Sequence, residues 1–92
     1  MKVVINTCYG GFGLSDEALA KYKAIKDITE EVYYWNIERD DPALVQVVEE
    51  MGDAAAGSFA SLKIVNIPDD VQGYIEEYDG MEWVAEAHRT WQ

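Results

Sequence analysis

Apolar residues recur along the chain with two different periods. Residues 2–7 (KVVINT) form a short apolar run that predicts a strand, and residues 14–26 carry apolar side chains at helical spacing. Ser15, just before the helical pattern, is a residue type that commonly caps helix N-termini. The pattern therefore predicts a strand and a helix, joined by a glycine-rich loop over residues 8–13.

The middle of the chain predicts a second strand and a second helix. Residues 31–36 (EVYYWN) are rich in the aromatic and β-branched types that favour strands. Asp41 followed by Pro42 is typical of a helix start, and Gly52 is typical of a helix end. Residues 54–60 (AAAGSFA) fit either a loop or a continued helix.

The last third predicts two strands and a helix. Residues 61–67 (SLKIVNI) and 73–78 (GYIEEY) read as an antiparallel hairpin around a turn at residues 68–70. Asp79 and Glu82 have the spacing of a capping box, which predicts a final helix. The apolar stripe of that helix would contain Val84, Ala87, His88 and Trp91.

These elements give the order β-α-β-α-β-β-α. The fold class that follows is α/β (α+β), with a small mixed sheet of about four strands and helices packed on the sheet. A helix between the first two strands favours a parallel, right-handed unit. With 92 residues, we expect residues 1–92 to form a single domain.

Charge is distributed unevenly. The net charge is −11, and residues 27–92 carry 16 acidic and three basic residues, which leaves that part at −13. Such a surface repels nucleic acid and favours a basic partner, including a protein whose natural ligand is DNA or RNA. The alternative is a solubilising acidic face without a partner.

Candidate partner contacts are the adjacent carboxylate pairs. Neighbouring carboxylates point apart on helices and strands, so these pairs are expected to face solvent rather than to form acid–base catalysts. They are Glu30 and Glu31, Asp40 and Asp41, Glu49 and Glu50, Asp69 and Asp70, and Glu76 and Glu77.

The glycine-rich loop is a candidate ligand site. A glycine loop between a strand and a helix can present backbone N–H groups to an anion. The residues that would hold a nucleotide-like ligand are Gly10, Gly11, Gly13 and Ser15, with Arg89 and His88 approaching from the last helix. Asp16 stands where the dinucleotide fingerprint requires its third glycine, which disfavours a dinucleotide. The alternative is a tight turn without a ligand.

Catalysis and metal binding have little support. Cys8 and His88 are the only cysteine and histidine, and a dyad between them is the one enzymatic hypothesis. The alternatives are a small, semi-buried thiol for Cys8 and a core histidine for His88. One cysteine and one histidine do not make a zinc site, so no metal and no cofactor is predicted. A lone cysteine, the lack of a signal peptide and the lack of a long apolar run favour a cytoplasmic protein without membrane contact.

The two ends of the chain resemble a known group of proteins. The opening VVINTCYGGFGLS and the closing EEYDGMEWVAEAHRTW are similar to small acidic accessory proteins of tailed bacteriophages and prophages. The resemblance implies a phage protein acting in the host cytoplasm, and such proteins often block host defences such as CRISPR effectors.

Three functions follow as hypotheses. The first is an anti-CRISPR-like inhibitor that imitates nucleic acid with its acidic surface and binds a host immune protein. The second is a nucleotide-like small-molecule binder that uses residues 10–15. The third is a small enzyme that uses Cys8 and His88. Exposed aromatic residues would also suit a homodimer.

Overall fold

The first strand lies at the centre of the molecule. The computed structural model describes residues 1–68, 74–78, 80–85 and 90–91. Strand β1 (Lys2–Asn6) pairs antiparallel with β2 (Leu62–Asn66). Val4 belongs to a core with the helices, whereas Val3 and Ile5 belong to a second core on the opposite face, because successive strand side chains alternate. Both faces of β1 are covered, which explains its uninterrupted apolar run.

Two helices cover one face of this sheet. They are α1 (Asp16–Lys26) and α2 (Pro42–Met51). The predicted caps are confirmed: the Ser15 side chain accepts from the Ala18 amide, and the Asp41 side chain accepts from the Ala43 amide. A short 3₁₀-helix (Gly52–Ala55) follows α2. Of the ambiguous residues 54–60, the first two therefore continue in this short helix, and residues 56–60 form a bridge and a turn.

A second sheet covers the other face. It contains β3 (Tyr74–Tyr78), β4 (Met81–Ala85) and β5 (Thr90–Trp91), all antiparallel, in the order β3-β4-β5. Ile75 and Val84 join the second core. The predicted α+β class is confirmed, but the described strands form two small antiparallel sheets instead of one mixed sheet.

The predicted strand over residues 31–36 is wrong. These residues run irregularly into a 3₁₀-helix (Tyr34–Asn36), in which Asn36 N–H donates to the Tyr33 carbonyl. Aromatic residues favour a strand when they can pair with a neighbouring strand. Residues 31–36 do not pair with β1, whose second edge instead bonds to residue 39. The Val4 amide donates to the Arg39 carbonyl at 2.8 Å.

Two predicted strand pairings are wrong as a result. The first strand has no parallel partner among the described residues, because its neighbour β2 is antiparallel and comes from much later in the chain. The strand β2 pairs with β1 and not with β3. Residues 69 and 70 of the predicted connecting turn lie outside the described residues.

The predicted final helix is wrong over residues 81–85, which form β4, and over residues 90–91, which form β5. Tyr78 pairs with Met81, so only residues 79 and 80 connect β3 to β4. Asp-Gly is a strong two-residue hairpin signal, and Gly80 has the positive φ of 93° that such turns require. The prediction rested on the helical spacing of Val84 with apolar residues further along the chain. Residues 86–89 of that stretch lie outside the described residues.

No helix among the described residues has the length and apolar character needed to cross a membrane.

Candidate functional site

The glycine-rich loop packs against two other segments. A Cβ atom at Gly10 would lie 2.8 Å from Phe59 Cβ, and one at Gly80 would lie 2.7 Å from the Gly10 nitrogen. The Gly57 amide also donates to the Gly13 carbonyl at 3.0 Å. These close approaches explain glycine at positions 10 and 80 without a ligand.

Ser15, the N-cap residue of α1, has its backbone amide and its hydroxyl engaged by other groups of the protein. The Ser15 amide donates to the Ala55 carbonyl at 2.9 Å. The Ser15 hydroxyl donates to the Ala54 carbonyl at 2.7 Å and accepts from the Ala18 amide at 3.2 Å. Asp16 and Glu17 line the adjacent depression, where their charge opposes a phosphate. The geometry therefore offers little to an anionic ligand, and Arg89 and His88 lie outside the described residues.

The contacts of Cys8 among the described residues do not support a catalytic role. Its side chain is half-buried, with Sγ 3.8 Å from the Tyr9 carbonyl. Its partner in the proposed dyad, His88, lies outside the described residues. Within the described part of the chain, no three His, Cys, Asp or Glu side chains are grouped closely enough to hold a metal ion.

Asn6 organises the end of β1, a role that sequence analysis missed. It is 0% exposed, and its amide group donates to the carbonyls of Cys8 at 2.8 Å and Gly80 at 2.6 Å. Its side-chain oxygen accepts from the Ser61 amide at 2.9 Å. One buried side chain thus ties the glycine-rich loop to the β3–β4 hairpin and to the start of β2.

Arg39 and Glu82 form a second link between the layers. Arg39 Nη1 and Nη2 donate to Glu82 Oε1 and Oε2 at 2.5 and 2.9 Å, and the Glu82 side chain is only 7% exposed. Glu82 Oε1 also accepts a hydrogen bond from the backbone amide of Asn6 at 2.7 Å. The Arg39 guanidinium carbon lies 3.7 Å from the ring centroid of Phe12. The predicted capping role of Glu82 is therefore wrong, and its carboxylate belongs to the interior.

The Asp41 carboxylate forms hydrogen bonds within the protein. It accepts from the Tyr22 hydroxyl at 2.7 Å and from Lys26 Nζ at 3.1 Å. Burial raises the pKa of the Asp41 carboxyl, but the hydrogen bonds from Tyr22, the Ala43 amide and Lys26 outweigh it and hold the pKa below its usual value. Burial, followed by the hydrogen bond to Asp41, raises the pKa of Tyr22. This carboxylate stabilises the fold and is poorly available to a partner.

Three other predicted contact residues have partners within the protein. Glu49 pairs with Lys2 at 3.1 Å and Glu50 pairs with Lys21 at 3.4 Å. Glu76 accepts from Trp83 Nε1 at 3.0 Å. The surface pairs are weak and leave their carboxylates partly exposed. Glu77 is exposed, whereas Asp69 and Asp70 lie outside the described residues.

The remaining predicted carboxylates flank an aromatic cluster. We call residues 27–40 the acidic–aromatic segment. It carries five exposed acidic residues, and no ion pair to any of them is found among the described residues; they are Asp27, Glu30, Glu31, Glu38 and Asp40. The one basic residue in the segment, Arg39, is neutralised by Glu82. The structure thus leaves this segment with a concentrated negative charge.

Aromatic rings lie between these carboxylates. Tyr33 and Trp35 are stacked, with centroids 4.7 Å apart and an interplanar angle of 19°, and they are 43% and 63% exposed. Tyr34 contacts Trp35 edge-on at 5.0 Å and Phe12 at 6.0 Å. The rings form a continuous ladder whose inner end, Phe12, is covered by Arg39 and whose outer end is open to solvent.

The segment is attached to the fold on both sides. The Ile28 amide donates to the Lys23 carbonyl at 2.9 Å, and Ile37 is buried in the helical core. Ile28 and Val32 pack against the same core. The aromatic and acidic groups are therefore displayed by a fixed loop, which reduces the ordering cost of binding.

Comparisons with protein-family models, with curated proteins and with solved structures found no match to this chain.

Proposed function

We propose that this protein is a binding protein whose acidic–aromatic segment docks onto the positively charged surface of a partner protein. The observation that carries the proposal is the exposed stack of Tyr33 and Trp35, flanked by exposed carboxylates that have no ion pair among the described residues. Exposed aromatic residues are enriched at protein interfaces and often dominate their affinity.

The surface combines two chemical features of a single-stranded nucleic acid. Proteins that bind such strands use a positively charged groove for the phosphates and stacking contacts for the bases. In the acidic–aromatic segment, carboxylates offer the negative charge and stacked rings offer flat π-faces. A groove built for a nucleic acid is therefore a suitable partner, and the protein would compete with the nucleic acid for it.

The resemblance of the two chain ends to small acidic phage proteins suggests which partner this is. We propose a phage counter-defence role in the host cytoplasm, with a host immune protein, such as a CRISPR effector, as the target. The net charge of −11 agrees with an inhibitor that occupies a nucleic-acid channel and does not bind nucleic acid itself.

Affinity capture from a bacterial host lysate, with two matched charge variants, tests this proposal. The first variant combines Glu30→Gln, Glu31→Gln, Glu38→Gln and Asp40→Asn. The control removes the same charge elsewhere, through Glu17→Gln, Glu49→Gln, Glu50→Gln and Asp53→Asn, all at exposed positions.

We expect the wild type and the control to capture a nucleic-acid-binding protein that added single-stranded DNA or RNA releases. The variant in the acidic–aromatic segment should lose that protein. Equal capture by both charge variants, or no release by nucleic acid, would contradict the proposal.

A further inference from the structure

In the part of the chain that the structure describes, a cation contacts one end of the ring ladder, at Phe12. Arg39 lies over Phe12 at 3.7 Å, and the contacts continue through Tyr34 to Trp35 and Tyr33. No lysine or arginine among the described residues lies over Trp35 or Tyr33. The exposed outer rings therefore lack the cation that the inner ring has.

The charge around the outer rings favours a cation from outside. Glu31 lies two residues before Tyr33, and Glu30 precedes it; both are exposed. A ring face attracts a cation through its quadrupole, and nearby carboxylates add to that attraction. Among the described residues, the segment's one basic side chain, Arg39, is engaged by Glu82, so the outer rings are open to a cation from a partner.

Resting on the proposed function, we infer that the acidic–aromatic segment selects arginine side chains of its partner, which stack on the exposed Trp35 ring and pair with the neighbouring carboxylates. A planar guanidinium can stack on an aromatic face while its N–H groups bond a carboxylate, whereas a lysine ammonium is a compact, strongly hydrated charge. The Arg39–Phe12–Glu82 contact is the same arrangement within the protein.

Two peptides of equal charge test the inference. Octa-arginine and octa-lysine are titrated separately into the whole protein at low ionic strength, and their dissociation constants are measured by calorimetry. We expect octa-arginine to bind about fivefold more tightly, from a cation–π and stacking contribution at a partly exposed site. In Trp35→Ala, the two peptides should bind with equal affinity.

The control is Phe59→Ala, which removes another aromatic residue, 76% exposed, that has no contact in the ring ladder. It should keep the preference for arginine, and far-UV circular dichroism of each variant reports any loss of folding. Equal affinities in the wild type, or a preference that persists in Trp35→Ala, would overturn the inference.

A failure of the arginine inference can be distinguished from a failure of the proposed function. Equal affinities that fall together in the four-charge variant of the acidic–aromatic segment overturn the arginine inference and leave the proposed function intact. Loss of nucleic-acid-sensitive capture from the lysate instead overturns the proposed function.

Discussion

Arg39 and Glu82 are 43 positions apart and meet through two parallel hydrogen bonds in a largely buried site. The pair fixes the C-terminal end of the acidic–aromatic segment to strand β4. The same guanidinium covers Phe12, so one side chain joins the aromatic ring ladder to the fold.

Removing one member of this pair should be costly. Arg39→Ala removes two charge-assisted hydrogen bonds from the buried Glu82 carboxylate, and we expect a loss of about 3 kcal/mol in the free energy of unfolding. Urea denaturation measures it. Lys21→Ala, which breaks the exposed pair with Glu50, should cost under about 1 kcal/mol. Similar losses for the two variants would contradict a structural role for Arg39.

Asn6 offers an isosteric test of the central junction. Asn6→Asp replaces the amide that donates to the Cys8 and Gly80 carbonyls with a carboxylate that would face their oxygens. We expect a loss of at least about 2 kcal/mol at neutral pH, measured by urea denaturation, because buried polar groups lose their partners. A variant as stable as the wild type would show that these hydrogen bonds do not hold the loop.

The sequence predicts structural features that depend on nearby residues better than contacts between residues far apart in the chain. Ser15, Asp41 and Gly52 act on backbone groups within a few residues, so the bounds of both helices could be predicted from residue type. Asn6 and Glu82 are 76 positions apart, and nothing local marks either as a buried partner. The sequence Asp79-Gly80 carries a local hairpin signal that the competing helical pattern concealed.

The acidic–aromatic segment could be predicted only in part, because long-range contacts decide which carboxylates remain exposed. Glu30, Glu31 and Asp40 were predicted as partner contacts and lie exposed in the acidic–aromatic segment. Asp41 followed the same charge pattern but is used by Tyr22 and Lys26, which only the packing of α1 on α2 reveals. The aromatic cluster was predicted as a strand, because β propensity does not distinguish rings that pair with a sheet from rings that stack on one another.

Two glycines provide a matched test of the hairpin. Gly80→Ala would place a Cβ atom 2.7 Å from the Gly10 nitrogen at a φ of 93°, whereas Gly52→Ala at a φ of 58° meets nothing within 4 Å. We expect Gly80→Ala to cost at least about 2 kcal/mol and Gly52→Ala about 1 kcal/mol, because only the first adds a collision to the backbone strain. Thermal unfolding measures both. Equal costs would contradict the close approach of Gly80 to the glycine-rich loop.

Asp41 should make stability depend on acid pH. Its folded pKa is below the ordinary value of 3.8, so its ionised form adds stability above that value, and this stability is lost as the pH falls through the folded pKa. Asp41→Asn keeps a good helix cap but removes the charge. The stability difference between the wild type and this variant should be present at pH 7 and vanish below the folded pKa. A difference that stays constant from pH 7 to pH 2 would contradict the ionic role.

Displacement of a nucleic acid tests the central claim most directly. The partner captured from the lysate is purified and bound to fluorescently labelled single-stranded DNA or RNA, and fluorescence anisotropy is recorded as this protein is added. We predict that the wild type and the Glu17, Glu49, Glu50 and Asp53 control release the labelled strand, whereas the variant at Glu30, Glu31, Glu38 and Asp40 does not. Binding of the wild type to the partner with the labelled strand still attached would contradict the account.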